Sequence, residues 1–165
     1  MRVHFPFLFL MLLSLLACKN EPSAAYQEKS LLEYGVPVTV MAPDSVQVEK
    51  EDWVVQQSIS LRNKEEKYFV QIWMRQAPTT DLAQVKSEKL AQVKKEEGFA
   101  EIVQDDPNGF IFKRALDSTT VNYDFRYFQV KGDVEYTYQT DLTTELFTLD
   151  EVRNMYNAVN PKEEK

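Results

Sequence analysis

Asp124 and Glu135, with Arg126 close by, fall on one face of a hairpin that turns near Gly132. Two carboxylates are the minimum for general acid–base work such as glycoside hydrolysis, whereas on a strand surface such a trio reads as a solvated ion-pair patch. The same hairpin carries Phe125, Tyr127, Tyr136 and Tyr138 on one face, and counting back from a Lys131-Gly132 turn sets Tyr127 opposite Tyr136 and Phe125 opposite Tyr138. Exposed, these rings would offer a platform to a sugar or peptide; buried, they would pack under a helix, and packing is the expectation. Asp105-Asp106-Pro107-Asn108-Gly109 concentrates oxygen ligands. It lacks the twelve-residue spacing of a calcium loop and reads as a turn, so no metal is expected.

Other chemistry is excluded by residue type. The one histidine, His4, and the one cysteine, Cys18, both lie within the first eighteen residues. Beyond them no imidazole exists to activate a serine or a thiol, and no His or Cys remains for zinc. The four glycines, Gly35, Gly98, Gly109 and Gly132, lie too far apart for a P-loop or a G-x-G-x-x-G turn. A non-enzymatic protein without cofactor is expected.

Cys18 has its own chemistry. Residues 5–16 form an apolar run broken by Pro6 and Ser14, preceded by Arg2 and followed by Ala17. At ~1.5 Å per residue the run is too short for a ~30 Å hydrocarbon core and suits a signal-peptide core. Leu15-Leu16-Ala17-Cys18 resembles the lipobox of bacterial lipoproteins. The resemblance implies cleavage between Ala17 and Cys18, a diacylglyceryl thioether on the sulfur and an acyl chain such as palmitate on the new amino group. Acyl chains in that number hold a domain on a membrane unaided. Lys19, where an inner-membrane protein of this kind has aspartate, points to the outer membrane if the host has two.

Cleavage leaves 18 basic against 26 acidic residues, formally −8. Such a domain has no electrostatic route to nucleic acid and is repelled by anionic head groups, so the acyl chains must anchor it. The expected partner is a protein.

The elements that position these groups follow in order. Residues 18–30 read as the lipidated cysteine and a polar tether, and residues 36–40 as an edge strand, since Pro37 cannot donate to a ladder. Residues 53–61 alternate as a half-buried strand, with Gln56, Ser58 and Ser60 on its polar face. Residues 68–75 are apolar on both faces and read as an interior strand. Thr80 is placed to cap a helix over residues 81–97, which Gly98 ends; Lys86 and Lys89 must snorkel at its margin. Strands are predicted at residues 99–104, 110–116, 119–130 and 133–140. Thr148 and Glu151 make a capping box and Phe147 with Val152 a staple for a helix over residues 149–159, with residues 161–165 a solvated tail.

Hairpins throughout imply an α+β fold, an antiparallel sheet of about six or seven strands covered by two amphipathic helices, as one domain over residues 31–160. The order of elements over residues 34–160 is similar to the PsbP family, whose members are accessory subunits of a membrane complex. The resemblance implies a lipid-anchored envelope protein acting as a binding or assembly module. The alternatives are a carboxylate-dependent hydrolase and a small-ligand carrier using the aromatic face.

Overall fold

Alternation and turn chemistry resolve, in the computed structural model, into nine strands and two helices among the described residues, 26–141 and 145–160. They run β1 (Gln27–Ser30), a 3-10 turn at Leu32–Tyr34, β2 (Thr39–Ala42), β3 (Gln47–Asp52), β4 (Gln57–Asn63) and β5 (Tyr68–Gln76). Then come α1 (Leu82–Val93), β6 (Phe99–Asp106), β7 (Gly109–Ala115), β8 (Val121–Lys131), β9 (Val134–Thr140) and α2 (Leu149–Val159). Strands β3 to β9 form a seven-stranded sheet in the order β3-β4-β5-β9-β8-β7-β6, antiparallel at every pairing, and β1-β2 form a separate antiparallel pair. The α+β class and the interior place of residues 68–75 agree with the sequence reading. The small second sheet was not foreseen.

Each face of the large sheet is covered differently. On one face Ile59, Leu61, Val70, Ile72, Ile111, Phe125, Tyr127 and Tyr138 meet α2 and the apolar side of β1-β2 in one buried cluster. The stripe of α2 explains its docking: Val152, Met155, Tyr156 and Val159 are buried while Asp150, Arg153 and Asn157 face water. Its capping box is reciprocal, with the Glu151 amide donating to Thr148 Oγ1 at 3.3 Å and the Thr148 amide to Glu151 Oε2 at 2.7 Å. On the other face α1 covers only the β7–β8 side, where Val85 and Val93 pack on Phe110, Phe112 and Phe128. The helices therefore cover the sheet only in part.

Several expected boundaries move. Residues 27–30, expected as part of the tether, are strand instead and pair by their backbones with β2. Tyr26 also packs edge-on against Tyr68 at 5.3 Å. Residues 36–38 precede β2 instead of belonging to it. Strand β3 escapes sequence reading because Val48 is its one apolar residue, as befits a charged edge that discourages further pairing. Residues 53–56, expected as strand, are instead the turn between β3 and β4, closed by the Trp53 amide on the Gln56 carbonyl at 2.9 Å. Their alternation mimics a strand, and no Gly, Pro or Asn marks the turn.

The first helix is shorter than expected. Asp81, not Thr80, caps it, its carboxylate accepting from the amides of Ala83 at 2.9 Å and Gln84 at 3.3 Å. After Val93 the backbone tightens, with Lys95 bonding to Gln92 and Glu96 to Val93, so residues 94–97 leave the helix. Gly98 then sits at φ +78°, and a Cβ there would stand 2.6 Å from the Ala115 carbonyl oxygen.

Candidate functional site

Cross-strand register defines the half of the sheet that α1 leaves open. Arg126, Gln139, Gln71 and Ser60 run across β8, β9, β5 and β4 in one row. Phe128, Thr137, Trp73 and Ser58 make the next, and Val130, Glu135 and Arg75 the third. Residues on β8 pack toward α1; on β9, β5 and β4 the same face turns polar. That switch is the feature from which a site is built.

The polar side chains hold one another. The Arg75 guanidinium donates from Nε to Glu135 Oε1 at 3.0 Å and from Nη2 to Oε2 at 2.9 Å. Thr137 donates its hydroxyl to Glu135 Oε1 at 3.1 Å. Gln71 Oε1 accepts the Trp73 indole N–H at 2.9 Å and the Gln139 amide at 3.3 Å. From α1, Lys89 reaches over this surface; burial first, then the charge of Arg75, lowers its pKa. Gln56, Trp73, Arg75, Lys89, Thr137 and Gln139 border a hollow of about 130 Å³.

A second hollow, of about 270 Å³, shares Gln56 and Arg75 with the first and runs to the β3–β4 turn. Here Trp53, Val54 and Val55 stand 58 %, 103 % and 82 % exposed. Three adjacent large apolar side chains in water are a patch, not the scattered exposure every protein tolerates. The turn lies beyond the end of β5 where Met74 and Gln76 sit, while Tyr26 packs at its other end, on Tyr68. Over the nine residues of β5 these ends are roughly 26 Å apart. A larger hollow, of about 510 Å³, opens near the β4–β5 turn, but its guanidinium, Arg62, is already bonded to Asp141 and Glu49.

Asp124 and Glu135 share a face but not a site. Glu135 is opposite Val130, six residues along β8 from Asp124, roughly 20 Å. Paired glycosidase carboxylates stand within ~10 Å, so the structure does not bring this pair together. Asp124 is instead bonded to Arg126 at 2.8 Å, to its neighbour's amide and to the Thr140 hydroxyl.

Phe125, Tyr127, Tyr136 and Tyr138 do lie on one face, and all four are buried. Tyr156 of α2 stands edge-on to Phe125 at 5.8 Å and to Tyr127 at 6.1 Å. The register corrects the expected pairing. The turn is Gly132-Asp133, so Tyr127 faces Tyr138 and Gln129 faces Tyr136. Gly132 takes the first turn position at φ +63°, shifting the count by one on each strand. Asp105 is occupied by Lys86 at 2.5 Å, and among the described residues no group of three His, Cys, Asp or Glu is placed to hold a metal. Cys18, the leader before it and residues 161–165 lie outside the described residues.

No known family model, curated protein or solved structure matches this chain. The site therefore rests on its own geometry. The polar face at Gln56, Ser58 and Ser60 was visible as alternation, but its partners Arg75, Glu135 and Lys89 come from three other elements, and only the fold joins them.

Proposed function

We propose that the protein is a non-enzymatic, lipid-anchored envelope protein that binds or helps assemble a protein partner at a membrane surface. The observation that carries this is the Trp53-Val54-Val55 tip, exposed at the end of the sheet remote from Tyr26, where the chain enters the domain. With acyl chains on Cys18, the seven residues 19–25 give at most about 25 Å of tether. An upright domain would then hold the tip away from its own membrane. Glu49, Glu51 and Asp52 on the strand leading to the tip disfavour insertion into anionic lipid and leave an apolar protein surface as the better occupant.

The burial of the four aromatic residues and the separation of Asp124 from Glu135 both weigh towards binding rather than a ligand-carrying aromatic face or carboxylate hydrolysis. The antiparallel sheet and element order also suit the PsbP-like resemblance, which by fold analogy alone favours an accessory role. Residue Lys19 after the cysteine favours the outer membrane of a two-membrane host.

Anchoring is tested by mass spectrometry of the mature N-terminus together with fractionation of Cys18→Ser. An acylated Cys18, and a variant that folds but leaves the membrane fraction, are expected. An uncut leader or an unmodified cysteine would overturn the anchor.

A further inference from the structure

The hollow between α1 and the open half of the sheet is bordered by two cations, Arg75 and Lys89, of which only Arg75 is ion-paired among the described residues. Arg75 is fixed by Glu135 through Nε and Nη2, and Glu135 is fully buried and also accepts the Thr137 hydroxyl. One carboxylate thus balances one guanidinium, and Nη1 of Arg75 makes no hydrogen bond among the described residues. Lys89, half-buried on α1, lines the same hollow and has no carboxylate within ion-pair distance among the described residues. Glu135 and the exposed Glu88 act on Lys89 only at a distance, so its ammonium sits half-buried in the recess without a direct ion pair among the described residues. Desolvation and the neighbouring Arg75 disfavour that charge, and an incoming anion would relieve both.

The rest of the lining says what the anion should be attached to. The indole of Trp73, tethered by its N–H to Gln71, forms an apolar wall. The Gln56 and Gln139 amides and the Thr137 hydroxyl supply donors and acceptors around it. At about 130 Å³ the recess lies well below the ~300–1,000 Å³ of drug-sized sites, so it suits a single ring. A carboxylate, a ring face that packs on indole and several hydroxyls occur together in a uronic acid.

We propose that this hollow is a binding site for a carboxylate-bearing sugar ring of the hexuronate class, with Lys89 and Arg75 meeting the carboxylate and Trp73 the ring. The site goes beyond the partner-binding tip and uses none of its three apolar residues, so either can fail without the other.

Trp53 and Trp73 are the two tryptophans of the chain, so Trp53→Phe leaves Trp73 as the sole indole reporter. The full chain carrying that substitution, in detergent micelles, is titrated with D-glucuronate, with D-glucose as the neutral ring and with acetate as the bare acid. A saturable fluorescence change with glucuronate is expected, with glucose and acetate each at least roughly tenfold weaker. Lys89→Met should weaken glucuronate roughly tenfold, the scale of one charged hydrogen bond, with an unchanged circular dichroism spectrum as the check on folding. No saturable glucuronate binding, equal binding of glucose or acetate, or full affinity in a folded Lys89→Met protein would each overturn the site.

Discussion

Arg75 and Glu135 stand directly opposite each other on β5 and β9, joined by two parallel hydrogen bonds of 3.0 and 2.9 Å. The carboxylate is fully buried, whereas the guanidinium is 42 % exposed. The pair is therefore asymmetric. Arg75→Ala leaves a buried charge with Thr137 as its one remaining hydrogen-bond donor among the described residues and should cost about 3 kcal/mol. Glu135→Gln leaves a cation that can turn to water and should cost about 1–2 kcal/mol. Urea unfolding of the two variants reads the difference, and equal losses would mean that Glu135 is better solvated than its burial indicates.

The open face also predicts a pH dependence. Lys89 meets Arg75, Glu135 and Arg126 from the sheet and Glu88 from its own helix, and burial followed by Arg75 lowers its pKa from 10.5. Because folding weakens its hold on the proton, the folded state bears a penalty while Lys89 is charged. The penalty is relieved as pH rises from the folded value towards 10.5. Lys89→Met should thus be more stable than wild type at a pH of about 7, and the gap should close as pH approaches about 11. Urea midpoints that stay equally far apart across that range would contradict the desolvation.

Helix α2 is the element on which the opposite face depends. Stopping the chain after Thr148 would uncover the sheet surface that Val152, Met155, Tyr156, Ala158 and Val159 cover. At roughly 1.5–3 kcal/mol for each fully buried large side chain, the loss rivals the ~5–15 kcal/mol of a whole domain. The truncated chain should lose its cooperative thermal transition. A transition like that of the full chain would mean that α2 is not part of the core.

A close approach beneath α2 is equally specific. A Cβ on Gly109 would stand 2.6 Å from the Arg126 carbonyl oxygen and 2.8 Å from the Tyr156 hydroxyl. Gly109→Ala should therefore cost about 1–3 kcal/mol by overpacking, read as a lower urea midpoint. An unchanged midpoint would place Tyr156 farther from β7.

What the sequence made legible is what local physics decides. The Thr148–Glu151 capping box and the α2 stripe agreed with each other and with the fold, because capping and amphipathicity point the same way. Turn chemistry placed the β8–β9 hairpin but missed its register, since Lys131-Gly132 and Gly132-Asp133 both satisfy the glycine. Residues 53–56 were lost for a different reason. An apolar turn without turn residues has no local signature, so this exposed apolar group read as part of a half-buried strand. The pairing of Arg75 with Glu135 was illegible too, since 60 residues separate two side chains that the β5–β9 ladder brings together.

The proposed role requires that the Trp53-Val54-Val55 tip meet a protein while the domain is held at the membrane. A photo-crosslinking amino acid placed at Val54 in intact cells tests this, with the same group at exposed Asn154 on α2 as the control. A discrete protein adduct at Val54, absent at Asn154 and lost when Cys18→Ser releases the domain, is the expected result. Adducts to lipid alone, or the same pattern at both positions, would contradict it.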